Sequence, residues 1–199
     1  MVKVVDGDTI DVGGTRYRLH GIDAPEAGQM CQTAAGDIWP CGQDATHFIE
    51  TLVAGRTVDC TAKGRDPYGR VIASCRAGDK DIGAEMVSAG FAWAFRKYSD
   101  DYVGLEDKAN ARRVGVWQGE NEAPWEYRTK KWEGAIAQSP DRACPIKGNI
   151  NRHNERIYHT PWSNDYAKTK IDIASGERWF CSEDEAIAAG WRAPAWGRQ

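Results

Sequence analysis

Residues 2–22 read VKVVDGDTIDVGGTRYRLHGI, and this stretch decides the fold of the first part of the chain. Valine, isoleucine and other strand-forming residues lie on both sides of Gly13-Gly14. A glycine pair between two such runs is typical of a β-hairpin. The stretch is therefore predicted to form strands joined by a tight turn.

The spacing of apolar residues changes after this hairpin. A loop is predicted from Pro25 to about Pro40, and Gly55 ends a helix whose apolar face consists of Ala45, Phe48, Ile49, Leu52 and Val53. Two more strands are predicted at 56–62 and 70–76, and two shorter helices at 81–89 and 102–114. Strands closed by turns, with helices outside them, favour an α+β fold built on a small OB-type Greek-key β-barrel.

The composition changes after Trp117. Residues 118–131 are charged, aromatic and weakly periodic, and Gln138-Ser139-Pro140-Asp141 is typical of a flexible connection. The predicted organisation is a barrel domain at 1–131, a linker at 132–143 and a small disulfide-stapled α+β domain at 144–199. In that last domain Ser182, followed by three acidic residues, predicts the start of a helix.

Composition and charge restrict the classes of function. The chain has 199 residues, a formal net charge of −3 and a pI of about 5.8. A protein that coats nucleic acid by bulk charge should be basic, so any phosphate contact must depend on a few local arginines. No stretch approaches the ~20 apolar residues of a membrane helix. We expect no membrane partner and a monomer.

Six cysteines form an even set. Three bridges within structural units, Cys31–Cys41, Cys60–Cys75 and Cys144–Cys181, are the simplest of the fifteen possible connectivities. This pattern favours a secreted or periplasmic protein whose leader is absent from this chain. Two alternatives stay open: reduced core cysteines, and a zinc site formed by Cys144, Cys181, His153 and His159.

Chemistry-bearing side chains lie in three short motifs, each where a predicted strand meets a turn. Asp8 lies in the first motif, Arg18, Asp23 and Glu26 in the second, and Asp66, Tyr68 and Arg70 in the third. Carboxylates from separate strands supply the hard oxygens that Ca²⁺ prefers. Guanidinium groups bind phosphoryl oxygens and do not lose their charge. Together these groups indicate cleavage of a phosphodiester.

In this order, over about residues 1–128, the motifs resemble the thermonuclease (staphylococcal nuclease-like) family. The resemblance implies a five-stranded OB-type barrel with three helices, a calcium ion, and hydrolysis of DNA and RNA, preferably single-stranded, to 3′-phosphates. Asp8, Asp23 and the carbonyl of Ala24 would hold calcium. Glu26 would activate the attacking water, Arg18 and Arg70 would stabilise the transition state, and Arg70 would also assist the leaving group.

The resemblance also assigns substrate contacts. These contacts fall on Arg18, Asp66, Tyr68, Arg70 and Tyr98. Tyr68 would bind a terminal phosphate, although its neighbour Pro67 replaces the family's lysine, and Tyr98 would stack on a base. A runner-up hypothesis is a catalytically silent OB-fold module that binds single-stranded nucleic acid or a protein. Residues 144–199 resemble the small sunset-type domain, whose role is poorly defined.

Overall fold

A computed structural model describes residues 2–66, 69–140 and 143–194. It divides the chain into two compact units, Met1–Pro124 and Trp125–Gln199, each of which is described by itself.

The first unit combines short strands with three α-helices. Its strands are β1 (Val2–Asp6), β2 (Thr9–Val12), β3 (Thr15–Leu19), β4 (Ile22–Asp23), β5 (Cys31–Gln32), β6 (Ile38–Trp39), β7 (Val58–Arg65), β8 (Val71–Ala77), β9 (Lys80–Asp81) and β10 (Trp93–Ala94). Its helices are α1 (Cys41–Val53), α2 (Ile82–Ser88) and α3 (Val103–Ala111), followed by a 3-10 helix at Gly115–Gln118. The three predicted helices are thus confirmed, within a few residues at each end.

The main sheet has the strand order β1-β2-β3-β8-β7, and β9 pairs with β8. The β3–β8 pair is parallel, and the other pairs are antiparallel. The OB-like sheet agrees with the predicted fold class. Within the described residues no ladder joins β7 to β1, so the sheet is open where a five-stranded barrel was predicted, and β9 adds a sixth strand to it.

The core explains why the predicted helix and hairpin form. Gly13 and Gly14 have φ of +58° and +86°, the conformation that a tight β2–β3 turn requires. The stripe on α1 that was predicted from its 3.6-residue spacing is buried except for Phe48, which packs partly buried against the same core. Opposite it lie fully buried sheet residues such as Ile10 and Ala73.

Two small ribbons were not predicted, because two-residue strands have too little sequence pattern to detect. One is β4 with β10, which pairs Asp23 with Trp93. The other is β5 with β6, which lies within the predicted loop after Pro25 and pairs Cys31 with Trp39. Both ribbons bear on the candidate site.

The second unit contains α4 (Pro124–Ile136), β11 (Ile146–Ile150), β12 (Arg156–His159), a 3-10 helix at Ile173–Ser175, β13 (Arg178–Phe180) and α5 (Glu183–Ala188). The strand order is β12-β11-β13. Ser182 accepts a hydrogen bond from the Glu185 N–H (3.1 Å), which confirms the predicted helix cap. Residues 124–136 are helical, so the segment predicted as a linker from 132 begins inside helix α4. The charged and aromatic residues of this helix do not form a simple apolar stripe that the sequence would reveal.

All six cysteines are paired as predicted: Cys31–Cys41, Cys60–Cys75 and Cys144–Cys181. The reduced-thiol and zinc alternatives are therefore wrong for these sulfurs. In the chain-entropy model each bridge stabilises the fold by about 3–4 kcal/mol. In the part of the chain that the structure describes, no helix has the length and apolar character that crossing a membrane requires.

Candidate active site

The site is built around the turn between β1 and β2. Gly7 and Asp8 form this turn, and the Asp8 N–H donates to Asp6 Oδ1 (3.1 Å), so Asp6 shapes the turn. A side chain on Gly7 would place its Cβ 2.7 Å from the Cβ of Ala24. The missing side chain therefore lets the turn pack directly against the end of β4.

That close packing places the two predicted metal carboxylates at one point. Asp8 is 5% exposed and accepts hydrogen bonds from the Ala24 N–H (3.3 Å) and the Thr9 hydroxyl (3.0 Å). Asp23, at the end of β4, is fully buried at 0% exposure. Ala24 is also buried, so the structure brings Asp8, Asp23 and Ala24 together.

Arg18 joins both carboxylates from the central strand β3. Its guanidinium donates to Asp23 Oδ1 at 3.0 Å and forms an ion pair with Asp8 Oδ1. Arg18 is level with Thr9 on β2, the residue after Asp8, which explains how it reaches that carboxylate. Sequence positions 8, 18 and 23 thus meet in one ion-paired cluster.

The charges in this cluster shift each other's pKa values. Burial and then the negative charge of Asp8 raise the pKa of Asp6 to about 7. Burial alone would raise the pKa of Asp8, but the positive charges of Arg18 and Arg70 hold it below its usual value. Burial opposes the charge on Arg18, yet Asp8, Asp23 and Asp6 raise the pKa of its guanidinium. The cluster carries more carboxylates than guanidiniums.

Arg70 reaches the cluster from the β7–β8 turn. Its side chain donates to Asp66 Oδ2 (2.6 Å), and its backbone N–H donates to Asp66 Oδ1 (2.9 Å). Ile72 is level with Arg18 across the β3–β8 pair, and Arg70 lies two residues before Ile72. The positive charge of Arg70 helps to lower the pKa of Asp8, which places Arg70 near the cluster. Asp66 thus orients Arg70.

Glu26 follows the cluster by two residues and begins the loop that leads to β5. Its N–H donates to Gln29 Oε1 (3.2 Å), and its carbonyl accepts from the Gln29 N–H (2.7 Å). Two chain contacts thus hold the Glu26 backbone beside Ala24 and the carboxylate cluster.

The remaining substrate residues lie at the edge of the site or outside the described residues. Phe95, next to β10, donates its N–H to the Gly21 carbonyl (2.8 Å), which places the following segment beside β4. Tyr98 in that segment is 64% exposed, and its ring contacts Phe95 with a centroid separation of 5.1 Å. The Lys97 ammonium lies over the same ring, 5.7 Å from its centroid, so an exposed aromatic ring and a positive charge occur together at this edge. Tyr68 lies outside the described residues.

The donor set fits a hard cation. Asp8 and Asp23 offer buried carboxylate oxygens. The carboxyl of Asp6 lies close to them, since it accepts a hydrogen bond from the Asp8 N–H. Ca²⁺ takes six to eight oxygen ligands, so water and substrate would complete the set. Among the described residues no group of three or more Asp, Glu, His or Cys side chains is arranged to hold a metal. The fit rests on two carboxylates and a carbonyl.

Sequence reasoning missed two residues of this region, Gln29 and Gly42. Gln29 was one of several polar residues in a predicted loop. It was missed because a single glutamine in a loop belongs to no periodic pattern that would indicate its burial. Gly42 lies in the first turn of α1, where its Cβ would fall 1.8 Å from the Glu26 carbonyl oxygen.

Comparisons with known proteins agree with this geometry. A model of the family described as Staphylococcal nuclease homologue matches residues 16–119. The chain is 36% identical over 139 residues to an uncharacterized endonuclease of Escherichia coli, which spans 66% of this chain and 84% of that protein. It is 34% identical over 146 residues to micrococcal nuclease of Shigella flexneri, covering 64% and 78% of the two chains.

A third relative has a different kind of name. The chain is 33% identical over 156 residues to the succinoglycan biosynthesis protein ExoI of Rhizobium meliloti strain 1021, covering 75% of this chain and 71% of that protein. The family match ends at residue 119, so the sunset-type resemblance of residues 144–199 stays a prediction. The match spans just over half of the chain and includes the site positions from Arg18 onward, and the chain therefore belongs to the family of staphylococcal nuclease homologues.

Proposed function

We propose that the protein is a calcium-dependent nuclease that hydrolyses phosphodiester bonds of DNA and RNA and leaves 3′-phosphates. The observation that carries the proposal is the contact of one guanidinium with two buried carboxylates from separate strands, Arg18 with Asp8 and Asp23. Burying two carboxylates is costly even when they share one guanidinium, and perturbed charged clusters of this kind are typical of functional sites. The endonuclease and micrococcal nuclease names of its relatives support the same reaction class.

Asp8, Asp23 and the Ala24 carbonyl would hold the calcium ion. When bound, the ion would supply positive charge beside the scissile phosphate and lower the pKa of coordinated water. The acidic cluster supports this assignment because a divalent cation would offset the repulsion among its carboxylates, which adds to burial in raising the pKa of Asp6.

Glu26 is proposed as the base. Water would form a bond to phosphorus while one of its protons moves to the Glu26 carboxylate, and the bond from phosphorus to the 5′-oxygen would break. The leaving 5′-oxygen takes up a proton from solvent water while Arg70 stabilises its developing charge, which gives a 5′-hydroxyl and a 3′-phosphate. Arg18 and Arg70 would donate hydrogen bonds to the phosphoryl oxygens, and losing one such donor costs about 100-fold in rate.

Substrate preference follows from the edge of the site. The exposed ring of Tyr98 supports stacking on an unpaired base, which a duplex does not offer. We therefore propose single-stranded DNA and RNA as preferred substrates of a monomeric enzyme. Three disulfides support an oxidising compartment, the periplasm or the outside of the cell, where calcium is abundant.

The runner-up function, a silent OB-fold module that binds nucleic acid, makes a different prediction from the same surface. A binder keeps its affinity when calcium is chelated and cleaves nothing, and its affinity depends strongly on salt. Because Asp8, Arg18, Asp23, Glu26 and Arg70 are all present in the chain, the enzyme is the preferred proposal.

The test is cleavage of single-stranded DNA by wild type, Glu26→Gln and Glu50→Gln, each with calcium and with a chelator. Glu50 lies exposed on α1, so its change to glutamine is the matched control. We expect cleavage by wild type and Glu50→Gln in calcium only, and a loss of about 100-fold or more for Glu26→Gln. DNA binding without cleavage by folded wild type would leave only the binding module.

A further inference from the structure

We propose that Gln29 is a positioning residue that fixes Glu26 for catalysis, and that the Cys31–Cys41 disulfide keeps Gln29 in place. This inference rests on the proposed nuclease function and concerns the same site. It gives the loop between Glu26 and α1 the role of positioning Glu26, whereas the sequence predicts only a loop without regular structure there.

Gln29 makes contacts in three directions. Its side-chain oxygen accepts from the Glu26 N–H (3.2 Å), and its own N–H donates to the Glu26 carbonyl (2.7 Å). Its side-chain NH₂ donates to the Glu122 carbonyl (2.9 Å), and its carbonyl accepts from the Gly42 N–H at the start of α1 (3.3 Å). One residue thus ties Glu26 to α1 and to the segment after the 3-10 helix.

Burial makes these contacts costly to lose. Gln29 is 1% exposed, so a broken hydrogen bond would leave a buried polar group without water. A glutamine in such a place loses side-chain entropy and gains little hydrophobic energy. Its value to the fold must come from its two side-chain contacts: the side-chain oxygen accepts from the Glu26 N–H, and the side-chain NH₂ donates to the Glu122 carbonyl. The bond from the Gln29 backbone N–H to the Glu26 carbonyl does not depend on the side chain.

The disulfide and a glycine complete the support. Cys31 lies two residues after Gln29, and Cys41 is the first residue of α1, so the bridge closes the loop onto the helix. At the far side of the loop, Asn121 pairs with the backbone of Gln32 through two hydrogen bonds (2.7 and 3.0 Å). Gly42 leaves just enough room for the Glu26 carbonyl.

The chemistry explains why such support matters. A general base must lie within about 3 Å of the proton that it takes, and a misplacement of about 1 Å can cost 100-fold in rate. Glu26 follows Pro25 in a segment without regular secondary structure, so no helix or long strand fixes its position. Gln29 supplies the contacts that a helix or sheet would otherwise provide.

The decisive experiment is a double-mutant cycle on cleavage of single-stranded DNA in calcium. We expect Gln29→Ala to lower kcat by about 10–100-fold, with KM and the calcium Kd within twofold of wild type. Combined with Glu26→Gln, the same change should lower kcat by less than twofold, because the group that it positions is already absent. Gln32→Ala, an exposed glutamine in the same loop, is the matched control and should match wild type.

A purely structural role predicts a different pattern. If Gln29→Ala lowers kcat equally in both backgrounds, or weakens calcium binding as strongly as it lowers kcat, the positioning role is refuted. A kcat within twofold of wild type refutes it as well. If wild type itself does not cleave, the proposed function fails first, and the failure is distinguishable because no cycle can then be measured.

The disulfide gives a second variant that leaves the glutamine in place. Cys31→Ala/Cys41→Ala should lower kcat several-fold, since the loop is then held by hydrogen bonds alone. Cys60→Ala/Cys75→Ala removes a bridge between β7 and β8 and should lose similar stability with kcat unchanged. Equal kcat values for the two double variants, measured where both are folded, would refute the role of the Cys31–Cys41 bridge.

Discussion

Replacing Gly42 with alanine is a test of how tightly the loop holds Glu26. The added Cβ would lie 1.8 Å from the Glu26 carbonyl oxygen, whereas real Cβ contacts are essentially never shorter than 3.0 Å. The difference, about 1.2 Å, must come from movement of the Glu26 backbone or of the start of α1. Gln29 and the Cys31–Cys41 bridge join these two segments, so neither moves without straining the other.

The size of the effect follows from this displacement. A shift of about 1 Å at a catalytic carboxylate costs about 100-fold in rate. Alanine improves helix propensity over glycine by about 1 kcal/mol, but overpacking costs about 1–3 kcal/mol, so we expect a net loss of stability. Both quantities are measurable on the full chain, kcat with single-stranded DNA in calcium and the urea midpoint in chelator.

Gly104 provides the control. It lies near the start of α3, and a Cβ there would meet no atom within 4 Å. Gly104→Ala should therefore gain about 0.5–1 kcal/mol and leave kcat unchanged. A Gly42→Ala variant with wild-type kcat, or one that gains stability as Gly104→Ala does, would refute the claim that this close approach fixes Glu26.

The remaining predictions concern the charge cluster and the helix cap. Because the pKa of Asp6 is raised above its unfolded value, this carboxyl contributes stability that is lost as pH rises from about 4 to about 7. Asp6→Asn in chelator should therefore lose less stability than wild type over this range in urea titrations. Arg18→Met leaves Asp8 without its ion-pair partner and should cost about 3–5 kcal/mol in chelator, with a smaller loss in calcium, by the same assay. Asp81 caps α2 and accepts a hydrogen bond from the Tyr102 hydroxyl, so Asp81→Ala should lower the free energy of unfolding by about 1–3 kcal/mol. Asp44 is exposed, and Asp44→Ala should change this free energy little. Equal losses for the two variants would contradict the capping role.

The sequence allowed prediction of features that rest on local rules. Gly13-Gly14 predicted the hairpin because only residues that tolerate positive φ form such a turn. The spacing from Ala45 to Val53 predicted α1, since one face of a helix must be buried. Cysteine pairing followed from proximity along the chain.

Contacts between segments that are distant in the chain could not be predicted from the sequence. No local rule states that the Gln29 amide meets the Glu122 carbonyl, 93 residues later in the chain. The two-residue strands β4 and β10 carry no periodicity, yet their pairing fixes Asp23. Helix α4 was missed because its charged and aromatic residues depart from a simple apolar stripe.

The cluster also resolves an apparent conflict between an acidic chain and a polyanionic substrate. The net charge of −3 is the sum over the whole chain, and salt screens interactions between charges more than about 10 Å apart. A bound phosphate therefore interacts mainly with the few charged groups next to it. At that point Arg18 pairs with Asp8 and Asp23, and Arg70 pairs with Asp66, so these three carboxylates outnumber the two guanidiniums, and without a cation the local charge opposes phosphate binding. A divalent cation would raise the local charge by two and offset the carboxylates that now contact Arg18. Phosphate affinity in this site is therefore expected to follow the cation and not the pI.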